Sequence, residues 1–245
     1  MKHLILITFL SLVTYMDSIW ALPPDFNALY DAYIGPAKGQ LRSILISNKD
    51  DTYSYEMSTN AIGIWKVLAD GKITEQSVFK KENDQLKPIK YNLDNSIKDF
   101  QSEANFNWEV NKIDGYYKER KIDLILEEKM IDRVLLQLDI INSIKENKNL
   151  TTLKILDKDK IENIEVELFS GIEIITVPFG KFNCVKVRHS KMGSDKENML
   201  WLAEDLDYIP VKLTQIESGE TNFIAELKEL NKTNLIILFM NIISS

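Results

Sequence analysis

Cysteine and histidine are scarce in this sequence, and their scarcity limits the chemistry that the chain can perform. Its 245 residues include one cysteine, Cys184, so no disulfide can form within the chain. A protein of this length does not need one, because a large hydrophobic core can replace disulfides even in exported proteins. Only two histidines are present, so a histidine-based metal site is not expected.

Positive charge is also in short supply. Lys and Arg number 30 against 37 Asp and Glu, which gives a formal net charge of −7. Proteins that bind nucleic acid need a basic surface, so this composition argues against such a partner. The sequence also lacks the GxGxxG, P-loop, HExxH and GxSxG motifs. Each of these would have indicated a particular cofactor, nucleotide, metal or nucleophile.

One candidate reactive pair, Cys184 and His189, lies in a single predicted β-hairpin. Pro178 and Gly180 predict the tight turn between its two strands. Side chains alternate between the faces of a strand, so the odd spacing places Cys184 and His189 on opposite faces. A Cys–His nucleophile pair needs the two groups within hydrogen-bond reach. We therefore predict no catalytic residues, no metal site, no cofactor and a protein that is not an enzyme.

The first 21 residues have the pattern of a cleaved secretory signal. A short basic start, MKH, precedes the apolar run LILITFLSLV, and two prolines follow shortly after Ala21. We predict cleavage after Ala21; the alternative is an N-terminal membrane anchor. The apolar run is shorter than the ~20 residues that cross a bilayer, and the acidic Asp17 interrupts it. Cleavage and export are therefore the favoured interpretation.

The rest of the chain has mainly the pattern of β-strands. Turn signals separate short strands, including ADGK at 69–72, which predicts a turn between strands 62–68 and 73–79, and a second turn at Asp114–Gly115. Connections this short leave no room for crossover helices, so the sheet is predicted to be antiparallel. A long meander of this kind must curl or close to protect its edges.

One segment has helical spacing instead. Apolar residues recur at three- and four-residue intervals, with acidic residues at the start and lysines at the end. The fold class is therefore mainly β: a single antiparallel, strongly curved sheet or open barrel, with one prominent α-helix (about 129–146) packed against it. We expect one domain, 22–230, followed by an apolar tail, 231–245. The run LIILFM in the tail predicts a final buried strand, with an exposed interaction segment as the alternative.

Two sets of residues are candidates for ligand binding. The apolar set is expected to line a cavity between sheet and helix: Trp65, Phe106, Trp108, Leu135, Leu138 and Trp201. Ordinary core packing is the alternative for each of them, because aromatic residues dominate cores. The cationic set is Lys186, Arg188 and Lys212, which would hold an anionic head if their sheet face were concave. The alternative is a solvated outer face, where such side chains usually lie.

An ordered set of segments carries a family resemblance: ITEQSVF, LKPIKYNLD, FNWEV, the helix, VPFGKFNCVKVRH, WLAEDLDYIPVKL and FIAELKEL. Together they resemble the bacterial exported proteins of the DUF3108 family, a domain of unknown function, from about Phe26 to Leu230. The family's Asp–x–x–Ser stretch at the helix start is incomplete, since EEKMIDRV lacks the serine. The resemblance implies a periplasmic protein with a curved, mostly antiparallel sheet. It is similar to the open barrels of lipoprotein carriers, which hold acyl chains in an apolar groove.

These observations predict a periplasmic, non-enzymatic carrier for a lipid or another hydrophobic ligand, because sheet concavities and barrel mouths are common ligand sites. The alternative is an envelope structural or interaction protein, which binds a protein partner through an exposed strand edge or its C-terminal tail. We expect no nucleic-acid partner, and no membrane span once the signal is removed.

Overall fold

The structure is a computed structural model that describes residues 22–67, 70–83 and 85–232. Within these residues the chain is mainly β, as predicted, with sixteen strands in one sheet and a single α-helix. The predicted signal, residues 1–21, and the apolar run of the tail lie outside the described residues.

The first eight strands form an antiparallel meander in which each strand pairs with the next. They are β1 (Phe26–Ile34), β2 (Ala37–Ser47), β3 (Tyr53–Ala61), β4 (Lys72–Glu82), β5 (Gln85–Asn95), β6 (Phe100–Asn107), β7 (Lys112–Tyr117) and β8 (Arg120–Ile125).

The second eight strands continue the same sheet, because β16 pairs with β1. They are β9 (Ile131–Asp132), β10 (Thr152–Asp157), β11 (Lys160–Leu168), β12 (Glu173–Val177), β13 (Gly180–Lys191), β14 (Lys196–Ala203), β15 (Ile209–Glu217) and β16 (Glu220–Lys232). The pairing path runs from β8 at one edge to β9 at the other, with β12 attached beside β13. No pairing among the described residues joins β8 to β9, so the sheet is not closed into a barrel.

The prediction of an entirely antiparallel sheet is wrong at one edge. β9 pairs with β10 in parallel, with Ile131 opposite Ile155 and Asp132 opposite Leu156. A parallel pair needs a crossover connection of about a dozen residues or more, usually a helix. α1 lies between β9 and β10 in the sequence and provides that connection. The helical spacing alone did not indicate this role.

The helix itself is confirmed, but its predicted start is wrong. It is α1 (Leu136–Lys145), which begins at residue 136 rather than 129. The carboxylate of Asp132 accepts hydrogen bonds from the backbone N–H groups of Val134 and Leu135, each at 3.0 Å. Such a side-chain bond holds the backbone in a turn and competes with helix continuation. The buried side chains of Ile131 on β9 and Val134 in this turn matched the helical period by coincidence.

Two predictions about turns and strands are also wrong. Most of the predicted strand 62–68 is a 3₁₀ turn, Gly63–Val67. The predicted turn at Asp114–Gly115 lies inside β7. Gly115 has φ +152° and lies so close to β6 that a Cβ atom there would sit 2.0 Å from the carbonyl oxygen of Glu103. This glycine therefore permits two strands to approach each other closely. From sequence alone, a glycine in this role cannot be distinguished from a glycine in a turn.

The core is one cluster that contains residues of α1 and of strands from both halves of the sheet. Leu135, Leu138, Ile140 and Ile141 are completely buried. The sheet therefore curves around the helix.

The two ends of the curved sheet differ. At one end, here called the helix end, Glu146 pairs with Lys81 at 3.1 Å and Lys145 with Asp207 at 3.5 Å. These ion pairs fasten the end of α1 to the sheet. The opposite end, here called the turn end, carries the connections β1–β2, β3–β4, β5–β6, β7–β8, β10–β11, β13–β14 and β15–β16, which alternate strand directions bring together.

Candidate functional site

A cavity of about 410 Å³ lies between the two halves of the sheet, beside the start of α1. Its volume is within the range of roughly 300–1,000 Å³ that is usual for small-molecule sites. Its apolar walls come from β2–β4, the turn before α1, β10–β11 and β14–β16. They are Leu41, Met57, Ile73, Val134, Leu136, Ile155, Ile164, Leu200, Leu213 and Phe223.

Strand register explains why this wall changes from apolar to polar. One row across β13–β16 is Val187, Leu200, Leu213 and Ala225. The next inward-facing row towards the turn end is His189, Asn198, Gln215 and Phe223. The cavity is therefore apolar on the side of the core and mostly polar near the turn end, where Lys191, Ser194 and Lys196 also line it.

A charged cluster forms another part of the lining. The guanidinium of Arg133 donates to Glu75 at 3.1 Å and to Asp157 at 3.2 Å. The hydroxyl of Tyr91 donates to the same carboxylate of Glu75 at 2.8 Å. Burial, and then the negative charge of Glu75, raise the pKa of Tyr91, so this phenol stays protonated. Arg133 thus has two carboxylate partners, and its charge is compensated within the protein.

Asp132 lies next to this cluster but is completely buried and does not line the cavity. Its carboxylate accepts a hydrogen bond of 2.5 Å from the hydroxyl of Ser77 on β4, in addition to the two backbone bonds that precede α1. Burial raises the pKa of Asp132 to about 7, although the hydrogen bonds from Ser77, Leu135 and Val134 oppose the shift. Asp132 therefore holds the turn before α1 in place, and Arg133 and Val134 of that turn line the cavity. Asp132 itself does not reach the cavity.

His189 lines the cavity, whereas Cys184 does not. Burial lowers the pKa of His189 to about 4, so the imidazole is neutral at pH 7. Cys184 is completely buried, and burial, helped by Glu173 and Asp205, raises the pKa of its thiol to about 11. β13 pairs with β14 without a bulge between residues 184 and 190, so the prediction that the two side chains lie on opposite faces is confirmed.

None of the nine residues predicted to bind a ligand lines this cavity, although all nine are described. Leu135, Leu138 and Phe106 belong to the packed core. Trp108 packs partly against the core, and its indole N–H donates to the carbonyl oxygen of Pro88 at 2.7 Å. Trp65 lies on the 3₁₀ turn at the turn end.

Three of the remaining four residues form a cross-strand row with Glu226: Lys186, Trp201, Lys212 and Glu226. The ammonium groups of Lys186 and Lys212 lie 5.2 and 5.8 Å from the ring centroid of Trp201. This row alternates with the buried row of Val187 and Leu200, so it lies on the outer face of the sheet. The arrangement corresponds to the solvated outer face that the sequence analysis kept as the alternative.

Arg188, the ninth residue, lies on the same outer face. Its guanidinium pairs with Glu197 at 2.6 Å and with Glu167 at 2.8 Å. One exposed carboxylate, Glu167, and one half-buried carboxylate, Glu197, therefore compensate its charge, as expected for an ordinary surface arginine.

The residues that do line the cavity were not predicted from the sequence. Met57 on β3 and Leu213 on β15 line it, and neither has an unusual sequence context that would mark it. The helix gave a partial signal, because Val134, Leu136 and Gln137 line the cavity beside the predicted Leu135 and Leu138.

Two further kinds of feature are absent from residues 22–67, 70–83 and 85–232. Within these ranges, no three His, Cys, Asp or Glu side chains are grouped so that they could hold a metal ion. No helix within them is long and apolar enough to cross a membrane.

Comparison with solved structures gives several matches, three of which are as follows. A β-barrel-like protein of the domain of unknown function DUF1849 from Brucella abortus is 11% identical, with a TM-score of 0.54, over 87% of this chain and 99% of that chain. A protein described as exported, with a YmcC-like fold, from Bacteroides fragilis is 10% identical, with a TM-score of 0.38, over 86% of this chain and 99% of that one. MucB is 9% identical, with a TM-score of 0.37, over 86% of this chain and 54% of MucB. Only the first likeness is strong enough to support the fold, and it supports the fold alone.

Sequence comparison gives the family. No curated protein matches this chain. The model of the family described as "Protein of unknown function (DUF3108)" matches residues 30–225. This span begins in β1, ends in β16 and includes α1 and the whole cavity lining. The resemblance seen in the sequence is thereby confirmed, and this chain belongs to the DUF3108 family.

Proposed function

We propose that the protein is a periplasmic carrier that binds a lipid or another amphiphile in the cavity without altering it chemically. The observation that carries the proposal is the cavity itself, whose walls are apolar near the core and polar near the turn end. An amphiphile likewise has an apolar chain at one end and a polar head at the other. Its chain would lie beside Leu200 and Leu213, and its polar head beside Asn198 and Gln215.

The energetics favour a chain-like ligand over a small polar one. Each methylene group that leaves water contributes about 0.8 kcal/mol to binding. The charged side chains of the lining are already paired: Arg133 with Glu75 and Asp157, and Lys196 with Glu217 at 3.2 Å. A strongly charged small molecule would have to compete with these carboxylates. Affinity is therefore expected to come mainly from apolar burial, with hydrogen bonds to the head setting orientation.

Two observations support binding rather than catalysis. His189 is the one histidine among the described residues, and Cys184 lies on the other face of its strand. Burial also raises the pKa of the Cys184 thiol to about 11, which opposes formation of the reactive thiolate.

The periplasmic location rests on the signal pattern of residues 1–21. Cell fractionation followed by N-terminal sequencing of the purified protein tests it. We expect a periplasmic protein that begins at Leu22. Recovery with the membrane fraction and an intact start at Met1 would contradict the proposal.

Filling the cavity tests the binding site. Met57 is half-buried and lines the cavity, so Met57→Trp places a bulky ring in the space of the ligand. Glu56→Trp is the matched control, because Glu56 is the adjacent residue of β3, so its side chain lies on the opposite face of the strand, and it does not line the cavity. Binding of a fluorescent fatty-acid analogue should weaken at least about tenfold in Met57→Trp. Equal binding by both variants and by the unaltered protein would contradict the proposed site.

A second candidate function, partner binding at a strand edge, is favoured by one feature of β12. Ile174 on β12 and Ile172, which immediately precedes the strand, are 61% and 57% exposed, although large apolar side chains usually avoid water. A protein strand added beside β12 would cover them. Replacement of both by serine should abolish cross-links to an envelope protein without changing fatty-acid binding; unchanged cross-links would exclude this edge.

A further inference from the structure

Three neighbouring connections at the turn end expose large apolar side chains. Ile34 is 61% exposed, Ile64 77%, Val67 87% and Ile97 37%. They lie in the segments 34–38, 63–67 and 96–99, which together with the segment 70–72 are here called the turn patch. Ile64 and Val67 are three residues apart in a 3₁₀ turn, where such positions point in the same direction.

Direct contacts join these segments into one surface. The backbone N–H of Ile62 donates to the carbonyl oxygen of Lys38 at 3.1 Å, which ties the 3₁₀ turn to the β1–β2 hairpin. The N–H of Ser96 donates to the carbonyl oxygen of Lys72 at 3.0 Å. Ile97 lies against Gly71, where an added Cβ would be 3.1 Å from its Cγ1 atom.

The turn patch is positively charged, although the whole chain is negative. It contains four lysines, Lys38, Lys66, Lys72 and Lys98, and two carboxylates, Asp70 and Asp99. All four lysines are exposed. Of them, only Lys72 forms an ion pair within the described residues, with Glu56 at a long 3.7 Å. The formal net charge of the entire chain is −7, so a local excess of lysine is a distinct feature of this end.

The turn patch also borders the cavity. Ile73 follows it directly on β4 and lines the cavity, and Thr59 lies opposite Ile73 on β3 and lines it as well. A ligand that enters or leaves at the turn end would pass beside these residues.

We propose that the turn patch docks the protein on the surface of a lipid bilayer that contains anionic lipids. Ile64 and Val67 enter the boundary between headgroups and acyl chains, and the lysines contact the anionic headgroups. Apolar side chains flanked by lysines are the usual composition of surfaces that bind at this depth. The charge of the patch is complementary to such a membrane, whereas lysine is depleted at protein–protein interfaces. This proposal goes beyond the carrier function and does not depend on the cavity holding a ligand.

Vesicle sedimentation tests the proposal with the purified full-length mature protein. The protein should sediment with vesicles of phosphatidylethanolamine and phosphatidylglycerol, and much less with vesicles of phosphatidylcholine alone. Ile64→Ser/Val67→Ser should reduce binding to the anionic vesicles at least about tenfold, because both replaced side chains lose their apolar burial. Lys66→Gln/Lys98→Gln should weaken binding and reduce its dependence on salt concentration.

The matched control removes two other largely exposed apolar side chains, which lie at the opposite end of the sheet. Val110 and Ile125 are 65% and 73% exposed, and they lie in the β6–β7 connection and at the end of β8. Val110→Ser/Ile125→Ser should bind vesicles as the unaltered protein does. An equal loss in the control, or no sedimentation of the unaltered protein with anionic vesicles, would overturn the proposal.

Trp65 provides a second measurement on the same surface, because it lies between Ile64 and Lys66. Brominated lipids should quench its fluorescence on binding, and Trp65→Phe should remove the quenched component. Unquenched fluorescence in a vesicle-bound protein would mean that another surface is in contact, and would contradict the proposal.

Met57→Trp should still bind vesicles, so failure of the cavity proposal can be distinguished from failure of this one. If cross-linking in the envelope instead gave a protein partner lost in Ile64→Ser/Val67→Ser, with no vesicle binding, the docking surface would be assigned to a protein.

Discussion

Asp132 joins three parts of the structure through its one buried carboxylate. It accepts hydrogen bonds from Ser77 on β4 and from two backbone N–H groups that precede α1. Asp132→Ala leaves these donors unpaired, so we expect the free energy of unfolding to fall by about 2–4 kcal/mol. Asp132→Asn keeps an oxygen acceptor and should cost much less. Urea denaturation of both variants measures the difference; an Asn variant as unstable as the Ala variant would contradict this account.

The carboxyl of Asp132 also makes the free energy of unfolding depend on pH, in a direction that can be predicted. Because burial raises the pKa of Asp132 to about 7 from 3.8, the folded state binds the proton more tightly than the unfolded state. Its contribution to stability is present below about pH 3.8 and is lost as the pH rises through about 7. Asp132→Asn should therefore gain stability relative to the unaltered protein between pH 6 and pH 8. A constant difference across this range would contradict the raised pKa.

His189 makes stability depend on pH in the direction opposite to Asp132. Its pKa falls from 6.5 to about 4 because of burial, so the unfolded state binds the proton more tightly. Stability is complete above about pH 6.5 and decreases as the pH falls towards 4. We expect the unfolding free energy of His189→Gln to decrease less over this interval, with a difference of at most about 3 kcal/mol. Chemical denaturation at several pH values measures it, and parallel curves would show that His189 does not titrate as described.

At the scale of elements, the pairing of β6 with β7 depends on the absence of a side chain at Gly115. An added Cβ would lie 2.0 Å from the carbonyl oxygen of Glu103, and φ at this position is +152°. Gly115→Ala should lower the free energy of unfolding by about 2–4 kcal/mol. Gly219→Asn is the control, because Gly219 lies in an open turn at φ +81° that asparagine tolerates. Comparable losses in both variants, measured by thermal denaturation, would contradict the assigned role.

The elements were predictable from the sequence where local pattern determines them. The hairpin of β12 and β13 follows from Pro178 and Gly180, and the helix follows from its apolar spacing. The helix start was not predictable from spacing, because Ile131 and Val134 are buried in a strand and a turn and match the helical period. Nor was the role of Gly115, since a glycine that admits a neighbouring strand looks the same as one that makes a turn.

At the scale of the whole molecule, the sequence predicted a curved sheet around a helix but not the position of the cavity. The cavity forms where β2–β4 face β10, β11 and β13–β16. This arrangement depends on the long-range pairing of β1 with β16, which no local pattern specifies. Large aromatic and helical residues were the natural candidates for its walls. They fill the core or lie on the outer face and at the turn end, whereas the cavity is lined by residues that no distinctive sequence feature marks, such as Leu213 and Thr59.

Two features of the whole molecule carry the two proposals: a cavity that reaches the turn end, and a lysine-rich apolar patch beside that cavity. The two features are tested separately, since the first predicts a bound amphiphile and the second predicts binding to membranes. The carrier function is the central claim, because membrane docking would serve a carrier by bringing it to the source of its ligand.

Native mass spectrometry tests that central claim most directly. The mature protein, purified from a bacterial periplasm without detergent, should carry a discrete added mass that organic extraction releases as a lipid or similar amphiphile. Met57→Trp should lose that mass, and Glu56→Trp should keep it. A bare protein mass that does not change when fatty acids or phospholipids are added would contradict the carrier function.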